Sequence, residues 1–268
     1  MNPIRYTLTV LLAIAASLAL LQPFKGSSMI TTAQVFADPL VAELANAARD
    51  GDLDRLGALL RSSANPGAVG QHGMTVTHYA LRARKNAPQV MAVLLDAGAD
   101  PVSMLVSGDN VPHYAVSRDS ADPEVVKILF AHGISPNWFP PDGVYHDLSM
   151  LQAAIMGHNL PVIKLLVERG ADLNYVDPFS GSALHYALTG TDFYMAAYLV
   201  DAGIRLDLLN NTSPLIKNPR ARQETAIEYF CATEGGQRGQ NPLPEIADGW
   251  RVFTAALARR GVRMPCGL

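Results

Sequence analysis

Chemistry-bearing motifs are scarce in this chain. Two cysteines, Cys231 and Cys266, occur among 268 residues, and they lack Cys-x-x-Cys spacing. That argues against a dithiol redox motif. The seven histidines show no His-x-x-x-His pair, so neither residue type converges in the way a zinc site requires. His72, His132, His146 and His158 are isolated in the sequence. There is no Gly-x-Ser-x-Gly nucleophile elbow and no glycine-rich phosphate loop followed by lysine. Gly235-Gly236 sits in a polar run that reads as a flexible loop, and Asp50, Asp52 and Asp54 read as solvated or helix-start charges. No catalytic, metal-binding or cofactor-binding residue is assigned on these grounds. The expectation is a protein that is not an enzyme, takes no cofactor and has no small-molecule substrate.

Basic charge is also in short supply. The formal net charge is -3, and the only charged residues before Asp38 are Arg5 and Lys25. Setting those two aside leaves 19 basic against 24 acidic residues. A mildly acidic domain repels phosphate backbones, which argues against nucleic acid as a partner. It also lacks the basic patch that would hold it on anionic lipid.

The exception to this polar economy is the N-terminus. Arg5 precedes 19 uncharged residues, Tyr6 to Phe24, and Lys25 ends the run. A short basic start followed by an apolar stretch is the pattern of a secretory signal, whereas about 20 apolar residues would span a bilayer. The segment 6–24 is therefore a signal peptide or a membrane tether. Two small-residue cleavage motifs occur. Ser17-Leu18-Ala19 lies inside the apolar run, and Val35-Phe36-Ala37 lies well past it. Neither is well placed, and the balance tips toward an uncleaved anchor. No cysteine lies near the end of the run, the first in the chain being Cys231, which excludes a lipoprotein. In both readings the remainder faces the compartment outside the cytoplasmic membrane, as a soluble periplasmic protein or one held at the inner membrane. There, an even cysteine count suggests one disulfide; in the cytoplasm the same residues would be two buried thiols.

What the sequence does have is a repeat. Gly-Met-Thr-Val-Thr-His-Tyr-Ala at 73–80 returns as Gly-Asp-Asn-Val-Pro-His-Tyr-Ala at 108–115 and as Ser-Gly-Ser-Ala-Leu-His-Tyr-Ala at 180–187. A second pattern follows, Val-Leu-Leu-Asp-Ala-Gly-Ala-Asp at 93–100, with counterparts at 128–135, 165–172 and 198–205. Its glycines, Gly98, Gly133, Gly170 and Gly203, are 35, 37 and 33 residues apart. Each copy reads as two helices. Thr75 and Ser182 suit the N-cap of the first helix. Ala80, Ala115, Ala154 and Ala187 are small where the helices approach. The glycines suit the left-handed residue that ends the second helix.

On these motifs the chain resembles ankyrin repeats, whose signature runs Gly-x-Thr-Pro-Leu-His-x-Ala and then Leu-Leu-x-x-Gly-Ala-Asp. Thr75, His78 and Ala80 match it, as do Leu184, His185 and Ala187. The third copy is degenerate: Ser149-Met150-Leu151-Gln152-Ala153-Ala154 places Gln152 in the histidine slot. The fifth begins Thr225-Ala226-Ile227-Glu228, with its second helix near Trp250 to Arg260. The resemblance implies an all-α ankyrin-repeat solenoid of about five helix-pair repeats behind an N-terminal half-repeat cap. The expected layout is a signal or anchor at 1–25, a linker at 26–37 and the repeat domain at 38–268. Within that domain the cap covers 40–66, and the repeats cover about 69–101, 104–137, 138–174, 175–207 and 219–268. Residues 208–222 and 234–248 are expected as long loops. In this family the histidine of the slot bonds backbone of the neighbouring turn, so His78, His113 and His185 are expected to be structural. Tyr79, Tyr114 and Tyr186 follow them and either pack between first helices or line a ligand surface.

The resemblance also implies a partner. Repeat stacks bind other proteins with loop tips and first helices on a concave face. Carried over by position, the binding slots hold Gln71, His72, Met74 and Arg82 in the first full repeat. The second holds Val106, Ser107, Asp109, Ser117 and Arg118. The third holds Tyr145, His146, Leu148 and Met156, and the fourth Pro178, Phe179 and Thr189. Exported bacterial ankyrin proteins look similar to this chain. Some are immunity proteins against secreted antibacterial toxins, and others accompany peroxide-defence enzymes. Sequestration or inhibition of one partner protein is thus expected, with a cell-envelope scaffold, an assembly factor or a stress-defence accessory protein as the alternative.

Two further expectations concern single features. Cys231 falls late in the fifth repeat's first helix and Cys266 just after its second, so antiparallel helices would bring their sulfurs together. The slots His113 and Gln152 are 39 residues apart, so the loop between them carries extra chain, including Trp138 and Phe139. These two rings either present a binding hot spot or fold back to fill a gap between mismatched repeats.

Overall fold

The computed structural model describes residues 31–141, 146–178, 180–210, 223–232 and 244–266. The apolar segment 6–24 lies outside them, as do Tyr145, Phe179, residues 211–222 and residues 233–243. Among the described residues there are thirteen α-helices, and the only β pairing is a set of isolated bridges. No described helix is long and apolar enough to cross a membrane. The all-α class expected from the repeats is what the chain adopts.

The backbone divides into two compact units, the first ending at Val111 and the second beginning at Pro112. In the first unit the helices are α1 (Thr32–Val35), α2 (Pro39–Asp50), α3 (Leu53–Arg61), α4 (Val76–Ala80) and α5 (Ala87–Asp96). Helix α6 (Val111–Val116) starts at the boundary. The second unit continues with α7 (Pro123–Ala131), α8 (Met150–Met156), α9 (Leu160–Glu168), α10 (Ala183–Thr189), α11 (Phe193–Asp201), α12 (Ala226–Phe230) and α13 (Pro244–Arg259).

Short polar side chains set where the helices begin. Asp38 accepts from the Leu40 N–H, Asp52 from Arg55, Asp122 from Glu124, Asn159 from Val162 and Asp192 from Met195. Each satisfies one of the N–H groups that a first turn leaves without a helical partner. Prolines at the first turn of α2, α5, α7 and α9 add a preset φ where no donor is needed. At the other end, the glycines that close second helices adopt left-handed φ, from 72° at Gly261 to 98° at Gly203. The first helices are short because the repeat allots them few residues, and their apolar faces meet a neighbouring pair. Ala80, Ala154 and Ala187 are buried to 1% exposure or less, which is what close helix approach demands.

Three details differ from the sequence expectation. Residues 31–37, read as the end of a linker, carry α1 and the buried Phe36. The second helix of the fifth repeat begins at Pro244, not near Trp250, because proline starts a helix readily and the residues after it continue the turn. Residues 244–248, expected in a loop, belong to this helix.

Candidate protein-binding surface

Single bridges join Val69 with Thr75, Met104 with Asn110, Val176 with Ser182 and Leu209 with Thr225, and the first two close hairpin fingers. In the first unit two fingers lie side by side. The Val106 N–H donates to the His72 carbonyl at 2.9 Å. Gly73 makes that contact, since a Cβ there would lie 2.5 Å from the Met104 carbonyl oxygen, and its φ of 79° favours glycine as well. The registered fingers hold Gln71, His72, Val106 and Ser107 out to solvent; Val106 is 83% exposed. Met74 is half-buried and Arg82 exposed. Asp109 departs from this pattern. It is 8% exposed, and its carboxylate accepts from the Ser107 hydroxyl at 2.7 Å, so it braces the finger from inside and is not presented to a partner.

In the second unit the slot side chains tie each first helix to the next finger. A ring nitrogen facing a carbonyl must donate to it, so Nε2 of His113 carries a proton toward Leu148 O at 2.8 Å, and Nε2 of His185 toward Glu224 O at 3.2 Å. The other nitrogen of a neutral ring then accepts. Nδ1 of His185 takes the Ser182 N–H at 3.1 Å. Gln152 performs the same task without a ring. Its amide donates to Gly181 O at 2.8 Å, and its carbonyl takes the Ser149 N–H at 3.0 Å. Burial holds His113 at a pKa of about 4 and lowers that of His185. In the first unit His78, also pushed down to about 4 by burial, accepts the Thr75 N–H at Nδ1, while its Nε2 is buried without a protein partner. Rings that bury a neutral imidazole between backbone groups are structural. Among the described residues no three His, Cys, Asp or Glu side chains converge in a metal-binding group.

Around these ties the remaining candidate residues are arranged locally. Arg118 lies over the Tyr114 ring at 5.0 Å and donates to its hydroxyl at 3.0 Å and to Ser120 at 3.0 Å. Ser117, Met156, Leu148 and Pro178 are half-buried, whereas His146 and Thr189 are exposed. His146 Nε2 sits 2.6 Å from the Asp147 carboxylate. Trp138 and Phe139 are both half-buried. The Trp138 ring is 5.7 Å from His113, and the Phe139 ring is 4.9 Å from Tyr175. Each therefore rests one side on the protein and leaves part of its surface to solvent. Asn137 pins the base of this loop, donating to Gly170 O at 2.9 Å and accepting from the Asp172 N–H at 2.7 Å.

The three tyrosines after the slot are engaged one by one. Tyr79 packs at 5.9 Å on Phe36, Tyr114 lies under Arg118, and Tyr186 bonds Asp177 and Ser180, with burial and the Asp177 carboxylate raising its pKa. Asp177 was not singled out from sequence. It is 1% exposed and accepts from the Gln152 amide at 3.0 Å, the Ser180 N–H at 2.7 Å and the Gly181 N–H at 3.2 Å. An aspartate before a Pro-Phe-Ser-Gly tip reads as a solvated turn residue, and nothing local in the chain marks it as buried.

At the C-terminal end α12 and α13 bring Cys231 and Cys266 to disulfide distance, S–S 2.06 Å with Cα atoms 5.7 Å apart. The pairing expected from helix directions is the one the chain adopts.

No curated protein matches the chain. Residues 151–212, which run from the Gln152 repeat through α11 to the following finger, match the family model for ankyrin repeats (many copies). With that match on helix pairs, hairpin fingers and slot ties, the chain is an ankyrin-repeat protein, and its repeats are a protein–protein interaction module.

Proposed function

We propose that this protein is a non-enzymatic binder that works outside the cytoplasm and sequesters or inhibits one partner protein, as an immunity protein does with a secreted antibacterial toxin. The observation that carries the reading is the set of exposed and half-buried side chains on the fingers, the first helices and the loop before α8. Gln71, His72, Val106 and Arg82 stand out from the first unit, and Arg118, Trp138, Phe139 and His146 from the second. Exposed or half-exposed Trp, Phe, Arg and apolar residues have the composition of an interface. Two features support the location. The apolar run 6–24 resembles a signal or tether, and a cysteine pair at bonding distance suits an oxidising compartment.

Affinity capture of the full chain from its own cells tests the partner, and an inhibitor should retain a single protein at one-to-one stoichiometry. Retention of several envelope proteins would instead establish a scaffold. A reporter enzyme active only outside the cytoplasm, fused after Leu268, should be active; activity of a cytoplasmic reporter alone rejects the location. Once the partner is in hand, Trp138→Ala should weaken binding by about 2 kcal/mol or more with little change in melting. Early melting with normal binding by the folded variant would show that Trp138 is a packing residue instead.

A further inference from the structure

We propose that residues 31–37 form a strap built into the first unit and kept in the working protein, so that any removal of the N-terminal segment ends before Thr31. The sequence offers Val35-Phe36-Ala37 as a small-residue cleavage motif, and a cut there would leave Asp38 as the first residue. In the folded chain Phe36 of that motif is part of the core, with Val35 half-buried and Ala37 exposed. Thr31 opens α1 with a capping box, its N–H donating to the Gln34 side-chain carbonyl at 2.7 Å and its hydroxyl to the same oxygen at 3.2 Å. Thr32 is 5% exposed and Phe36 4%, values that belong to the interior. The Phe36 ring lies 5.9 Å from the Tyr79 ring, and Asp38 follows at once as the N-cap of α2. In the first unit a bridged finger precedes the first helix at 69–75 and again at 104–110, and the strap lies in the corresponding place in the chain before α2.

Gly70 is an independent sign of the fit. Its backbone, φ −91° and ψ −166°, is extended and open to any residue. A Cβ there would nevertheless lie 2.7 Å from the Val35 carbonyl oxygen, 2.8 Å from Val35 Cγ1 and 2.9 Å from Phe36 Cδ1. The strap alone therefore requires glycine at this position. The first finger is shaped to receive a segment that a cut after Ala37 would discard.

The strap itself does not depend on export; only its consequence for processing rests on that reading. The decisive measurement is the intact mass of the full chain made in a bacterium with a working secretion pathway. A first residue at or before Thr31 is expected, the uncut chain included, and a first residue at Asp38 overturns the proposal. Chymotrypsin supplies a second readout on the same protein, since the bond after Phe36 is its substrate once exposed. Cleavage there should be at least about tenfold slower in the native wild type than in Gly70→Ala or in wild type unfolded by urea, because a buried bond is cut only through opening. Equal rates in native and unfolded wild type reject the strap. Phe36→Ala should lower the melting midpoint, and adding Gly70→Ala should lower it little further, since both changes release one segment. A Phe36→Ala midpoint equal to wild type also overturns it. Failure of the export reporter with a protected Phe36 bond would reject the location and leave the strap standing.

Discussion

At its N-terminal end the repeat domain closes with a short strap and an alanine-rich helix; at its C-terminal end it closes with four aromatic rings and a cysteine pair. Helix α2 buries Ala42, Ala45, Ala47 and Ala48 together with Val41 and Leu44, so small side chains let neighbouring helices approach, and one phenylalanine from the strap is enough to finish the edge. The other end is built on the fifth repeat, which the sequence makes longer than the others. There Phe193 sits 5.7 Å from Phe230, 5.2 Å from Trp250 and 6.1 Å from Phe253, Arg259 pairs with Asp201, and Cys231 meets Cys266. A terminal repeat has one neighbour in place of two. The comparison teaches that the same missing neighbour is met by small side chains and a strap at one end and by large rings and a cysteine pair at the other.

The comparison breaks most readily at the aromatic cluster. Phe253, fully buried, should cost about 3–5 kcal/mol when changed to Ala, read as the loss of unfolding free energy in urea, since the cavity is walled by rings that cannot collapse into it. A loss below 1 kcal/mol would mean the cluster is not the C-terminal glue.

Next comes the covalent staple. The cysteines are 35 residues apart, and the chain-entropy model gives about 3–4 kcal/mol for a loop of that size. Cys231→Ser with Cys266→Ser should lower stability by that order and speed proteolysis within 233–243 before any cut in α2. Labelling of two free thiols in unreduced, denatured protein would rule the bridge out.

Acid should separate the interior from both ends. His78 and His113 have folded pKa values of about 4 against an ordinary 6.5, so the native state favours their neutral form. Their contribution is complete above pH 6.5 and is lost as pH falls toward 4, on the order of 3 kcal/mol for each. His113→Gln should flatten the urea-denaturation midpoint between those pH values, with Gln152 showing that an amide can serve the slot. An unchanged acid profile would place the effect elsewhere. The smallest expected effect is at the exposed Arg259–Asp201 pair, bidentate at 2.8 and 2.6 Å. Arg259→Ala should cost under about 1 kcal/mol in the same titration, because solvent screens the pair. A larger loss would assign that end to electrostatics more than to its rings.

Much of the fold was legible because ankyrin-type order is local. The caps Asp38, Ser149 and Thr225 and the helix-ending glycines act on backbone within a few residues, and the slot His or Gln recurs at near-constant spacing because His113, Gln152 and His185 each make the same tie to the next finger. Even the degenerate third repeat could be placed, since Ser149 and Gln152 form the same box as Ser182 and His185. The candidate surface was legible only as a set of positions. Gln71, His72 and Val106 are exposed, but Asp109 is buried and accepts from the Ser107 hydroxyl of its own finger.

From the sequence alone follow the all-α repeat architecture, the registers of caps and turns, and the cysteine pairing, because each depends on periodicity or on helix direction that chain connectivity imposes. Only the tertiary structure decided that Phe36 and Gly70 fit each other, that Asp177 is buried among the N–H groups of its own finger and the Gln152 amide, and that Trp138 and Phe139 rest on His113 and Tyr175. Apart from the finger's own N–H groups, those contacts join residues 25 to 36 positions apart. Whether such a side chain meets water or protein is set by the neighbour that folding brings to it, and no local pattern in the chain carries that information.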